Sequence, residues 1–430
     1  MTPITIPPRI VLGDQPILDP DLSTPGGGLD QNWVRFDGDS LANARVDGQS
    51  MNGATLDGCD AEGAQFADCD MANLRTPRTT FPSASFDRCD LESADLRHLS
   101  RDEEAAYLRW ERTVFRDCRL HDADARGEKF LNTGFEDTDM TSIQMDEAEM
   151  GDAYIVRSNG DDLCAVRGSW TDVTMEDSTA RGANLNACLV TRPNWVRTSF
   201  LNSAFYEAQF LGGGVDECDF SQARMRSVIF TDTLGRGNMF TGADLRGSLF
   251  TDTGLHGDYR GCDFTMAVLR DCDFNDSAFS HATLTGVDAR RCTFNRITAA
   301  NTRLQGEFSC CDFKGAVLHN ADLSGTFDHC DFDGADLRGA DLNGAQFDSC
   351  IMFDAIVFAS QIPNPEDPMW VHADIRDDDE ARAMNGEWDD DGLPDAPHTT
   401  PTGDVNVRAH LMTTATGNTV VRQAHIRHTH

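Results

Sequence analysis

From Val34 to Ala359 the chain places a large apolar residue at every fifth position. The pattern is plainest from Cys330 to Asp354, which reads CDFDG ADLRG ADLNG AQFDS CIMFD: a small residue, a polar one, then Phe, Leu or Met, then two that are mostly polar or Gly. A period of five belongs neither to a 3.6-residue helix nor to a simple two-residue strand alternation. It suits a short strand followed by a corner. The small and the large residue lie two apart and share one strand face, while the polar residue between them points the other way. Taking the large residue as the centre of each block, centres run from Phe36 to Leu96 and resume at Phe115 to hold one phase to Leu255. They continue after one-residue slips as Tyr259–Leu304, Phe308–Leu323 and Phe327–Val357. Of these 63 centres 60 are apolar or aromatic, the exceptions being Thr76, Gly160 and Gly235, and 23 of the 25 Phe residues sit on a centre. A phase held this long is a property of the chain.

The pattern resembles that of the pentapeptide-repeat family, A-(D/N)-L-x-x, matched most literally by Ala335-Asp336-Leu337 and Ala340-Asp341-Leu342. The resemblance spans residues 34–359. It implies an all-β fold: a right-handed, quadrilateral parallel β-helix of about 16 coils, which at roughly 4.8 Å per coil is a rod about 75 Å long. Each coil of such a solenoid contacts only its neighbours, yet the stack buries one continuous narrow core. The expected core spine includes Phe264, Phe274, Phe332, Leu337, Leu342 and Phe347.

The remaining segments divide the chain further. Residues 1–33 form a Pro/Gly-rich arm ending in Gly26-Gly27-Gly28, with enough apolar residues, Ile10 among them, to suggest docking rather than a plain linker. The first solenoid block is 34–97. Residues 98–112 interrupt it, and Ser100 with Glu103 makes a capping box ahead of Tyr107 and Trp110, predicting a short helical insertion. Either Trp110 packs on the rod or the insertion projects as a recognition feature. The second block is 113–359, in which Gly212-Gly213-Gly214 and Gly235 mark weakened or bulged corners. Residues 360–403 read as an acidic Pro-rich linker. Residues 404–430, with Val405 and Val407 alternating with polar positions and a turn at Thr416-Gly417-Asn418, predict a C-terminal β-hairpin that needs something to pair with.

Composition alters this picture in three ways. The formal net charge of −36 disfavours nucleic acid and anionic membranes as direct partners, and favours solubility or a basic partner. Of the 14 Cys, most occupy the small inward position, where a thiol behaves as a small hydrophobe; without an export signal, reduced core thiols are the better reading. No apolar run is long enough to span a membrane and no secretory signal opens the chain, which points to a cytoplasmic protein or one built into an assembly.

No nucleophile elbow, phosphate loop, dinucleotide fingerprint or zinc-protease motif is present, so no catalytic residue and no cofactor is assigned. The weak metal candidates are His428 and His430, two apart on the predicted hairpin. Interaction candidates are Trp110, Tyr107, Ile10, Val405 and Val407. Two functions follow. One is a non-enzymatic structural solenoid attached through its arm and hairpin to a multi-protein assembly such as a virus particle or injection device, with homo-oligomers an option. The other is carried by the resemblance alone: some members of the family mimic DNA and bind DNA gyrase and other type II topoisomerases.

Overall fold

The computed structural model describes residues 10–12, 15–17, 35–98, 109–362, 368–376, 406–413 and 419–427. Residues 35–98 and 109–362 form a four-sided parallel β-solenoid of about 16 coils. Each block of five is one side, and the coil closes after twenty residues, so Phe135 pairs in parallel with Ile155 and Ile155 with Met175. We number the faces by the first coil: first at Phe36, second at Leu41, third at Val46, fourth at Met51. The third face carries a 13-stranded sheet and the second a 12-stranded one. The first and fourth faces are joined mainly by single bridges, such as Asp124↔Gln144 and Asp139↔Asn159.

Two residues after most centres the backbone turns through a left-handed conformation; the shortened corners at Gly257, Gly306 and Gly325 do not. Gly serves at some of these corners, but Asn73, Asp137, Arg157, Ser227 and many other non-Gly residues adopt it too (φ 57°, 50°, 50° and 56°). For a residue with a Cβ this conformation costs roughly 1 kcal/mol or more, and it persists because packing on both sides fixes the corner.

The centres stack into four columns that fill the interior. Phe274, Phe294, Phe313 and Phe332 lie nearly parallel with centroids 5.4, 5.0 and 4.9 Å apart. Phe264, Phe274, Phe332 and Leu337 are buried, whereas Leu342 and Phe347, in the last coil, are only half-buried. That is a correction to the expected spine, and its cause is position: no full coil lies beyond to cover them.

The three slips are coils of nineteen residues. Phe250 pairs with Leu269, Ala289 with Phe308 and Phe308 with Phe327, and parallel pairing continues through each. All 14 cysteines are free. Cys272, Cys292, Cys311, Cys330 and Cys350 lie one coil apart in the same column, and the thiols of Cys272, Cys311, Cys330 and Cys350 donate to carbonyl oxygens of the preceding coil, as Cys330 does to Phe308 at 3.4 Å.

Of the helical insertion expected at 98–112, residues 99–108 lie outside the described residues. Its far boundary moves: Phe86 pairs with Phe115 and the Phe81 amide donates to the Arg109 carbonyl, so the solenoid has resumed by Arg109 rather than at 113. Trp110 is a centre, stacked on Phe81 at 4.7 Å and fully buried. It is therefore no projecting contact.

At the N-terminal end, Ile10–Leu12 pairs antiparallel with Ala44–Asp47 and with Gln15–Ile17. At the other end, Ile356–Phe358 pairs in parallel with Asp374–Arg376, and Trp370 meets Phe347 edge-on at 6.3 Å. Asn406–Thr413 and Thr419–Arg427 form an antiparallel hairpin.

Candidate functional site

The three non-apolar centres show how completely the interior is filled. At Gly160 a Cβ would sit 2.8 Å from Leu163 Cδ2, because Leu163 occupies a position usually small and fills the space. At Gly235 a Cβ would lie 1.8 Å from the Val215 carbonyl oxygen. Asn238 takes the vacancy: buried, it donates to Val215 O at 2.8 Å and accepts from the Cys218 amide at 3.0 Å. The ladder bulges here, between Gly235 and Asn238.

Thr76 belongs to a buried polar network that sequence reasoning missed. Arg109 is fully buried, and its guanidinium donates to Thr76 O at 2.6 Å and pairs with Glu128 at 3.2 Å. Trp110 Nε1 donates to Glu128 at 2.8 Å, and the His98 amide also donates to that carboxylate. Burial pushes the Arg109 guanidinium down to about 10, against the pull of Glu128, so it remains charged at neutral pH. Burial likewise raises the Glu128 carboxyl, against the pull of Arg109. The network joins both sides of the insertion, from His98 to Arg109, to the coils on either side. It is structural: neither charge reaches solvent.

Two features order the surface. The first is a set of corner ladders. Arg88 pairs with Asp68, Arg157 with Asp137, Arg197 with Asp177 and Arg291 with Asp271, each twenty residues apart and 2.6–2.7 Å in separation. Both partners occupy left-handed corners. The hydrogen bonds from these arginines hold Asp68, Asp137, Asp177 and Asp271 below the ordinary carboxylate value. A further cluster is half-buried: His319, itself buried, meets Asp336 at 2.8 Å and Arg338 meets it at 2.6 Å. Burial alone would raise Asp336, but the bonds from Arg338 and His319 outweigh it and hold this carboxyl far below the usual range.

The second feature is the charge pattern of the second face. Five successive strands, Ser169–Thr171, Leu189–Thr191, Gln209–Leu211, Ile229–Thr231 and Leu249–Thr251, carry no charged residue. In a chain of net charge −36 this is an exception.

Two open hollows mark the surface of the described residues. A shallow hollow beside the bulge is lined by Asp216, Arg236, Asp252, His256 and Asp273. Another follows the shortened corners at Gly306 and Gly325. Among the described residues no group of three His, Cys, Asp or Glu side chains is placed to hold a metal ion, and no helix is long and apolar enough to cross a membrane. His428, His430, Tyr107 and Val405 lie outside the described residues. Ile10 and Val407 fall in the terminal strands, with Ile10 opposite Val46 and Val407 opposite Ile426. The exposed apolar side chains Ile351, Phe353, Val371 and Ile375 gather instead at the C-terminal end.

A filled four-sided parallel solenoid defines a class: repeat proteins built of stacked coils, each of which contacts its neighbours. The chain carries pentapeptide repeats: the family described as pentapeptide repeats matches it in 8 copies, over residues 216–252, 260–296 and 326–354. Among solved structures it is similar to HetL, a pentapeptide-repeat protein involved in heterocyst differentiation regulation from the cyanobacterium Nostoc sp. strain PCC 7120. That match has 15% identity and a TM-score of 0.20, covering 54% of this chain and 89% of that one. Full-length QnrB1, a plasmid-mediated fluoroquinolone resistance protein, matches at 14% identity and TM-score 0.23, covering 58% and 93%. The A-module of the mannuronan C-5 epimerase AlgE6 from Azotobacter vinelandii matches at 8% identity and TM-score 0.20, covering 71% and 88%. The comparison with curated proteins finds no match.

Proposed function

We propose that this protein is a non-enzymatic structural and interaction rod, a component of a multi-protein assembly such as a virus particle or injection device, held there through its terminal elements. The observation that carries this reading is the contrast between interior and ends. The interior is closed by Phe, Leu, Trp and Met columns, with Asn238, Leu163 and the Arg109–Glu128 pair filling the irregular places. Outside the coils the chain forms separate β elements: the Ile10–Leu12 strand paired on the first coil, and the hairpin of Asn406–Thr413 with Thr419–Arg427, which follows the last coil in sequence. A two-stranded hairpin is marginal alone and gains stability from a surface to pair with. The test is the native mass of the particle, or of the isolated protein, with the full chain and with residues 377–430 removed. Loss of incorporation or a changed oligomeric state on removal is the expected result; no change in either defeats attachment through this tail.

A second reading is an acidic mimic of duplex DNA that binds DNA gyrase or another type II topoisomerase. The observation favouring it is a net charge of −36 on a narrow rod, since a duplex is also a narrow acidic rod. The uncharged strands of the second face and the arginine ladders interrupt that likeness, and we rank it below the first. Inhibition or protection of gyrase in a supercoiling assay at micromolar protein would reverse the order.

A further inference from the structure

The two ends of the solenoid are finished differently. At the first coil the outer edge of the third face is taken by added strands: Ile10–Leu12 pairs antiparallel with Ala44–Asp47 on one side and with Gln15–Ile17 on the other. At the last coil no such cover is present among the described residues. Asp374–Arg376 pairs with Ile356–Phe358 on one side only, and Gln346–Asp348 is the outermost strand of the 12-stranded sheet. Around these edges stand the exposed apolar side chains Ile351, Phe353, Val371 and Ile375. An open strand edge beside exposed apolar side chains is a template for a further strand.

The chain ends in an element suited to that template. Residues 405–430 hold three Arg, four His and no acid, whereas residues 341–376 hold six acids and one Arg. In the hairpin, Val407 stands opposite Ile426 and Ala409 opposite Ala424, alternating with Arg408 opposite His425. Successive positions of a strand fall on opposite faces, so one face is apolar and the other basic.

We propose that the hairpin of Asn406–Thr413 with Thr419–Arg427 docks on the C-terminal end of its own chain, adding antiparallel to the Asp374–Arg376 edge and covering Val371 and Ile375. It is the counterpart of the strand on the first coil. Charge alone draws a basic element to the whole acidic rod; the open edge and its apolar surroundings select the end. The 29 residues from 377 to 405 reach about 95 Å when extended, far more than docking needs. A flexible tether of this length holds the hairpin at a local concentration on the order of millimolar, so its own end outcompetes another copy at micromolar protein. This goes beyond the assembly reading, because it gives the tail a resting place in the isolated protein, before any partner is met.

Amide hydrogen exchange of the isolated full chain tests this. Removing residues 377–430 is expected to speed exchange in Asp374–Arg376 at least about tenfold and to leave the strands from Ser169 to Thr251 unchanged. The triple variant Arg408→Glu/Arg422→Glu/Arg427→Glu acts in the same direction without touching the rod. Val371→Glu/Ile375→Glu is expected to speed exchange in the hairpin strands themselves; should that variant disturb the last coil, the arginine variant decides. Protection at the end is expected to be the same at about 1 and 50 µM protein, as an intramolecular contact requires. Exchange at the end that ignores both tail removal and the arginine variant overturns the proposal. So does protection that grows with protein concentration, which would give the end to the hairpin of a second copy. Incorporation into a particle plays no part in this measurement, so the assembly reading and the docked hairpin can each fail alone.

Discussion

The repeat is interrupted in two contrasting ways, by addition near Arg109 and by loss near Phe308 and Phe327. Where residues are added, between Leu96 and Trp110, the chain needs a fully buried Arg109–Glu128 pair, a threonine in place of an apolar centre and bonds from Trp110 and His98. Where a residue is lost, from the corners before Phe308 and Phe327, every centre remains apolar and the Phe308–Phe327 stack stays parallel at 5.1 Å. Corners face solvent and can shorten without disturbing the columns. An added segment must leave and re-enter the packed layer, and at that doorway backbone groups lose partners from the adjacent coils. Charged side chains supply them, at the cost of desolvation.

The sharpest way to break this contrast is Glu128→Ala, which strands the buried Arg109 charge; we expect a loss of about 3–5 kcal/mol in denaturant unfolding. Hydrogen exchange should locate that loss in the coils around Thr76–Glu128, and an equal loss of protection along the whole rod would contradict a local doorway. Leu163→Ala, which reopens the space beside Gly160, should cost about 2–4 kcal/mol, measured the same way. Asn238→Ala leaves the Val215 carbonyl unpaired next to Gly235 and should cost about 1–3 kcal/mol. Inserting one Gly between Leu304 and Phe308, restoring a twenty-residue coil, should change stability by about 1 kcal/mol or less, as expected of a surface corner. A loss comparable to that of Glu128→Ala would show that corner length is not free.

A pH titration separates the two regions as well. Asp336 has a folded pKa far below its unfolded value, so its contribution is present above about pH 4 and is lost as pH falls towards the folded value. Asp336→Asn should flatten the acid limb of the stability profile in the C-terminal coils. The exposed pair Arg291–Asp271 should contribute little, and less in high salt, as Arg291→Ala would show.

The columns were legible from sequence because a period of five leaves the core no other arrangement, and Phe at a centre announces itself. Trp110 was legible too, since it stands five before Phe115, but its place in a polar, charged segment argued for a projecting helix. The Arg109–Glu128 pair was not legible as a pair: two charges nineteen apart become neighbours only once the point of re-entry is known. A signal existed in Glu128, a buried acid at an inward position held mostly by small or apolar residues, with Thr76 as its echo among the centres. The roles of Leu163 and Asn238 were hidden for a related reason. Each compensates for a centre glycine three residues before it, and the pattern gives no sign that the next small position has grown to fill the gap. The neutral face shows up only when outward residues are compared every twentieth place, which a reading in fives does not do.

The column of thiols from Cys272 to Cys350 has a practical consequence. At Cys292, Cys311 and Cys330 the bond with the preceding thiol lowers the pKa, but the bond with the following thiol together with burial outweighs it and pushes each up to about 12, whereas the bond from Cys330 lowers the half-buried Cys350. An alkylating reagent should therefore meet these rungs in order, beginning at the outermost. Peptide mapping of the labelled sites over time would time the unzipping of the rod one storey at a time, with no probe added to the chain.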